Sequence, residues 1–267
     1  AHGSTPSNLN AGLVLVSAPI VCRVDARSLV PPGYARTCAE TLTARPDVAV
    51  VGGAQIAVAR SSAPRDAGIA RALNNRWGMG LARYRRGARS APADTVYLGS
   101  FRTEQLRVVG GWDERFLTNQ DFELNRRLSK SGLVWFEATL RVGYLPRTSV
   151  SALFRQYRRF GVSKIEYWRL SGDRPRVRQL AALSVGPGLI LALVAIGLSG
   201  HPLRRMAVGC GVIAIGAASV DQLGATGGAP ASERLWSVSA LLAVWSGWSL
   251  GAWIKLIRVL QRPLVRG

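Results

Sequence analysis

Lysine is almost missing from this chain. Lys130, Lys164 and Lys255 are the only lysines among 35 basic residues, and acids number only 15. The formal charge is therefore +20 and is carried almost entirely by arginine. Such a charge points to a phosphate-bearing partner or an anionic membrane surface, although arginine bias from a coding sequence rich in G and C accounts for much of the excess. Basic residues are not interleaved with aromatics in any RNA- or DNA-binding pattern, which argues against a nucleic-acid partner. Cysteine is also scarce. Cys22, Cys38 and Cys210 show no CxxC spacing and no neighbouring histidine, so neither a zinc site nor a disulfide framework is indicated, and reduced thiols are expected. The opening stretch, AHGSTPSNLNAG, has no basic flank and no apolar run, so it does not read as a signal peptide.

What the chain does have is apolar sequence, unevenly spread. Hydrophobic residues make up 48% of it. The last third is nearly continuous apolar sequence, whereas the rest resembles an ordinary α/β domain. Three segments are candidates for the membrane. Leu180 to Ser199 and Leu235 to Ile257 are long enough to cross a bilayer, and Met206 to Val220 is shorter. Arginine is dense from Arg155 to Arg178, just before the first span, where the positive-inside rule places cytoplasmic sequence. The resulting division is an α/β domain over 1–148, amphipathic interfacial helices over 149–178, and two or three membrane spans over 179–267.

Local patterns place the elements. Thr5 to Ser17 reads as a helix capped by Thr5, and Ile20 to Val24 as a short strand running into Asp25. A turn at Pro31, Pro32 and Gly33 leads into a helix ending near Thr43. Val48 to Ala59 reads as a strand in which Gly52 and Gly53 mark a bulge or a close backbone approach. Within Arg60 to Ala93 one helix is expected from Ala67 to Asn75, with the remainder a mobile loop over a site. Thr95 to Leu98 is a strand, and Thr103 to Val109 a helix stopped by Gly110 and Gly111. Leu133 to Phe136 and Leu140 to Tyr144 read as two strands. Alternation of this kind makes an α/β domain. On the helix Ser149 to Gly161, Leu153, Phe154, Tyr157 and Phe160 fall on one side, and Arg155, Gln156 and Arg159 on the other. It suits a membrane interface or packing on its own domain, and the spans that follow favour the interface.

One stretch, TNQDFELNRRL from Thr118 to Leu128, carries the most chemistry. Thr118 reads as the start of a capping box. Asp121 shares a helix face with Leu124 and Leu128, so its carboxylate is expected to point towards packed protein, either as a cap or as a general base. Asp25 follows a strand, and in an open α/β sheet sites form outside the carboxyl ends of strands. An acid there can hold Mg²⁺ or Mn²⁺ against a diphosphate. Asp113 and Glu114 are rival acids in what reads as a turn.

Four pieces occur in order: RVDAR, ADTVYLGSFR with VGGWDE, NQDFELNRR, and QYRRFG. Together they resemble the inverting family-2 glycosyltransferases of the GT-A fold, above all the membrane-anchored bacterial enzymes of the succinoglycan type. The resemblance implies a GT-A-like (Rossmann-like) partial α/β domain followed by C-terminal transmembrane helices. It implies a nucleotide-sugar donor, a lipid-linked or glycan acceptor, and a multi-pass protein of the bacterial inner membrane with a cytoplasmic catalytic domain. It gives Asp25 the metal-binding role, with Arg23 standing where many relatives carry a first acid, and Asp121 the role of catalytic base. Gln156 and Arg159 match a QxxRW motif, with Phe160 in place of tryptophan. Arg23, Tyr97, Leu98, Gly99, Gln156 and Arg159 become the expected substrate-binding residues. Relatives also carry a nucleotide-binding segment before the stretch matching Ser4. The expectation is therefore an N-terminally incomplete donor half and little transferase activity from this chain alone. The alternative is a non-catalytic membrane protein with a remnant transferase fold.

Overall fold

The computed structural model describes residues 3–75, 89–175 and 229–261, with scattered positions between 177 and 211. It divides into two compact units, Ala1–Val58 with Met79–Leu145, and Ala59–Gly78 with Pro146–Gly267. The segment starting at Ala59 thus groups with the C-terminal part, not with the α/β part to which the sequence division assigned it.

The first unit is built on a mixed sheet. Its strands are β1 (Ile20–Cys22), β2 (Ser28–Leu29), β3 (Val48–Ala57), β4 (Ala91–Pro92), β5 (Tyr97–Arg102) and β6 (Leu133–Tyr144). Their order is β1-β5-β3-β6-β2, and β4 also pairs with β6. Only β3 and β6 run parallel; the other pairings are antiparallel. The two strands expected near the end of this unit are one long strand, β6. Its two halves pair with β3 on either side of Glu137 to Leu140, where the register slips between Gly52 and Ala54. The slip needs glycine. A Cβ on Gly53 would lie 1.9 Å from the Leu140 carbonyl oxygen, and one on Gly52 would lie 2.6 Å from that of Tyr97.

Helices α1 (Thr5–Val14), α2 (Tyr34–Ala44), α4 (Thr103–Val108) and α5 (Gln120–Leu128) cover the sheet. Successive β3 side chains serve different cores. Val50 joins a cluster with Leu13, Phe101, Leu106, Trp112, Leu124 and Leu128. Val51 joins Tyr34, Cys38, Leu42, Leu98 and Val142. The cap of α1 is Ser4, whose side chain accepts from the Ser7 N–H, so Thr5 is the first helical residue instead of the cap. After α4 the chain turns through two left-handed glycines, Gly110 and Gly111, and the Gly111 N–H bonds back to the Leu106 carbonyl.

The second unit is helical in its described parts: α3 (Pro64–Asn74), α6 (Val150–Ser171) and α7 (Ala231–Leu260). Helices α6 and α7 meet through small residues. A Cβ on Gly251 would lie 1.9 Å from the Arg158 carbonyl oxygen, and one on Gly161 2.0 Å from that of Trp248. Arg71 of α3 pairs with Glu233 of α7. Helix α7 is the one helix among the described residues long and apolar enough to cross a membrane. The candidate spans Leu180 to Ser199 and Met206 to Val220 lie largely outside the described residues, and positions 76–88 lie wholly outside them.

Candidate active site

The site is organised by an arginine. The chain leaves β1 after Cys22, and the Arg23 N–H donates to the Gly99 carbonyl, prolonging contact with β5 by one residue. The Arg23 side chain lies inward, only 7% exposed. Its Nε and Nη2 reach Asp25 Oδ1 at 2.9 and 2.8 Å, and its Nη1 bonds to Asp121 Oδ1. One guanidinium thus holds two acids, and Arg23 and Asp121 lie 98 positions apart in sequence. Neither carboxylate is sealed in: Asp25 is 40% exposed and Asp121 47%. A buried cation that would otherwise be uncompensated is satisfied, and each acid keeps an edge open to solvent.

This corrects the expected setting of Asp121. Leu124 and Leu128 are fully buried, as their spacing required, but Asp121 is not packed with them. It sits in the first turn of α5, and its side chain reaches Arg23. Thr118 is not the cap either. The cap position is Asn119, in the left-handed conformation with φ 67°, and it makes no side-chain capping bond. An acid in the first turn complements the positive end of this helix.

The neighbourhood of Asp25 is polar and aromatic. Its carbonyl accepts from the Ser28 N–H at 2.9 Å, closing a turn. The Ser28 hydroxyl and the Tyr97 phenol share a 2.7 Å hydrogen bond. Burial raises the pKa of Tyr97; the bond to Ser28 opposes this, and the charge of Asp25 adds to the rise. Tyr97 meets the Tyr144 ring edge to face at 6.5 Å, and the Arg27 guanidinium lies 5.2 Å above Tyr144. Nothing in the sequence singled out Arg27 or Ser28. The signal was their place directly after Asp25, but long-range pairing with β5 and β6 was needed to reveal it.

Leu98 and Gly99, expected as pocket lining, serve the scaffold. The Leu98 side chain is 4% exposed within the α2-facing core, its φ is 51°, and its carbonyl accepts from the Tyr34 hydroxyl. A Cβ on Gly99 would meet the Phe101 ring at 2.6 Å. Beneath them lie Cys22 and Cys38. The bond from Cys38 holds the Cys22 thiol below the usual thiol range, while the same contact and burial push Cys38 up. Of the rival acids, Asp113 is tied up by Arg115 at 2.6 Å, and Glu114 accepts from Asn10 at 3.1 Å.

A profile of the family described as "Glycosyl transferase family group 2" matches residues 20–256. The chain belongs to this family. It is 30% identical over 178 residues to the succinoglycan biosynthesis protein ExoA of Rhizobium meliloti (strain 1021). That alignment takes in 65% of this chain and 52% of the relative, so the chain spans about half the length of that curated protein. Among solved structures it is similar to the mannosyltransferase PcManGT from Pyrobaculum calidifontis, in complex with GDP-Man and Mn²⁺. The TM-score is 0.56 at 14% identity, covering 96% of this chain and 67% of that one. That likeness establishes the GT-A-like α/β fold.

Within the family frame, the donor set at Asp25 can be tested against a divalent cation. Among the described residues no three His, Cys, Asp or Glu side chains gather to hold one. Asp25 offers one carboxylate, of which Oδ1 already accepts from Arg23. That suffices for a cation arriving with a diphosphate and completing its shell from phosphate and water; it is too little for a cation held by protein alone.

The QxxRW-like pair does not behave as one face. Gln156 is buried, 8% exposed, whereas Arg159 is exposed. The helical offset of three residues spans the boundary between the packed and the open side of α6. The expected apolar face is likewise split: Leu153 and Tyr157 are buried, while Phe154 and Phe160 are half-buried. Both residues belong to the second unit, and Asp25 and Asp121 to the first.

Proposed function

We propose that the chain transfers a sugar, with inversion, from a nucleotide-sugar donor to a lipid-linked or glycan acceptor in cell-envelope or exopolysaccharide synthesis. The observation that carries this reading is the pair of half-exposed carboxylates fixed by one buried guanidinium. Family membership supplies the reaction class, and the pair supplies the division of labour.

Asp121 takes the proton from the attacking acceptor hydroxyl, using the carboxylate oxygen that Arg23 leaves open. Asp25 faces the leaving diphosphate. When bound, Mg²⁺ or Mn²⁺ held by Asp25 and the phosphates supplies positive charge to the leaving group. Arg23 is a positioning residue: its N–H groups fix both carboxylates, and its charge lies beside the developing negative charge. Tyr97, kept protonated, offers a hydroxyl to the donor from the same wall. The protein works at a membrane surface, consistent with α7 and with the arginines of α6.

The test uses the purified full chain with nucleoside diphosphates and nucleotide sugars. Asp121→Asn is expected to retain diphosphate binding and to lower turnover by roughly 10²–10⁴-fold. Asp25→Asn is expected to weaken diphosphate binding, most visibly with Mn²⁺ present. If neither the wild type nor either variant binds a nucleoside diphosphate, the remnant-fold alternative replaces this reading.

A further inference from the structure

Cys22 and Cys38 take no part in the chemistry assigned to the site, yet the fold brings them together from different elements. Cys22 closes β1, and Cys38 lies in the middle of α2. Cys38 is fully buried in the core that α2 makes with β3, and Cys22 packs against the same cluster. The two thiols hydrogen-bond to each other, and both are free. Ser100 stands opposite Cys22 across the β1–β5 pairing, fully buried and beside both sulfurs. Tyr34 adds to the cluster from the first turn of α2, with its hydroxyl donating to the Leu98 carbonyl.

The two thiols differ in access. Cys22 is half-buried, so a small solute can reach it. Cys38 has no exposed surface and can be reached only by a sulfur already beside it. The contact that joins them also holds the Cys22 thiol below the usual range and pushes Cys38 up, which makes Cys22 the first nucleophile. An accessible thiol poised next to a second one is the arrangement in which a mixed disulfide on the first is resolved by the second. Packing alone requires no such pair, since a single buried cysteine serves as a small apolar side chain. We propose that Cys22 and Cys38 form a thiol–disulfide exchange site, in which Cys22 reacts with a low-molecular-weight disulfide and Cys38 resolves the product. In the first step the Cys22 sulfur attacks one sulfur of that disulfide. The old S–S bond breaks, and the released thiolate takes the proton that Cys22 gives up. In the second step the Cys38 sulfur attacks Cys22 Sγ, and a second small thiol leaves with the proton from Cys38. The chain loses two electrons and two protons, and the small disulfide becomes two thiols. The new bond fastens the end of β1 to α2 one residue before Arg23, whose guanidinium holds Asp25 and Asp121. The site stands on the cysteine pair and does not rest on the sugar-transfer reading.

The test is incubation of the full chain in detergent with glutathione disulfide. An acid quench, alkylation of the remaining thiols and peptide mapping without reduction follow, so that a Cys22–Cys38 link is read apart from any product at Cys210. Wild type is expected to pass through glutathione on Cys22 to a Cys22–Cys38 disulfide, and dithiothreitol should restore both thiols. Cys38→Ser is expected to stop at glutathione on Cys22, with the link lost. Cys22→Ser is expected to leave Cys38 unmodified. Cys38→Ala repeats the first variant without placing a hydroxyl in the core, and is the one to read if Cys38→Ser does not fold. Wild type that accumulates glutathione on Cys22 without forming the link, or that takes up none, overturns the proposal. So does modification of Cys38 in folded Cys22→Ser. No turnover is measured, so failure here leaves the roles of Asp25 and Asp121 untouched, and failure of sugar transfer leaves the cysteine pair untouched.

Discussion

Arginine does two different jobs in the two units of this chain. In the first, Arg23 is buried and its charge is spent inside the protein, on Asp25 and Asp121. In the second, Arg155, Arg158 and Arg159 are exposed around a groove whose lining, among the described residues, holds no acid. One environment turns a cation into a scaffold for carboxylates, and the other leaves cations available to something that arrives. Net charge alone, +20 for the whole chain, hides the difference. What separates the two cases is whether acids from distant strands and helices fold onto the guanidinium.

The largest effect that would break this comparison is on chemistry. Asp121→Asn should remove most turnover at a stability cost of only about 1 kcal/mol, because Asp25 still faces the Arg23 guanidinium. Next is Arg23→Gln. It strips the shared cation from two neighbouring acids and should lower stability by about 1–3 kcal/mol, along with turnover, as read by thermal unfolding and a transfer assay. The matching change in the other unit, Arg155→Gln with Arg158→Gln, should leave stability within about 0.5 kcal/mol, because both side chains are exposed. A large stability loss there would show that those arginines are structural after all. The smallest effect is on thiol reactivity. The hydrogen bond from Cys38 holds Cys22 below its ordinary thiol range, whereas Cys38 is buried and pushed up. Iodoacetamide with peptide mapping should therefore label Cys22 first, and Cys38→Ala should slow that labelling near pH 7.

Much of the scaffold was legible in the sequence because it follows from local rules. The glycine pair in VAVVGGAQIAVA marked the bulge, Gly110 and Gly111 marked the end of a helix, and the order of strands and helices pointed to the α/β class. What escaped was set by long-range pairing. The two short strands near the end of the first unit are a single strand whose register against β3 slips between Gly52 and Ala54. The helix periodicity that correctly buried Leu124 and Leu128 misplaced Asp121, because its carboxylate is held, half-exposed, by an arginine 98 residues away. The same limit applies to Gln156 and Arg159. Spacing put them on one helix face, but it could not show which side of α6 would be covered. The acids themselves were legible as residues; that one arginine joins them was not.

The most direct test of the shared guanidinium is a double-mutant cycle between Arg23→Gln and Asp121→Asn on the unfolding of the full chain. If one buried cation holds that carboxylate, the two losses are not additive, and the coupling is about 1 kcal/mol after solvent screening of the half-exposed acid. Strictly additive losses would contradict the account, because they would mean that Arg23 and Asp121 do not share a site.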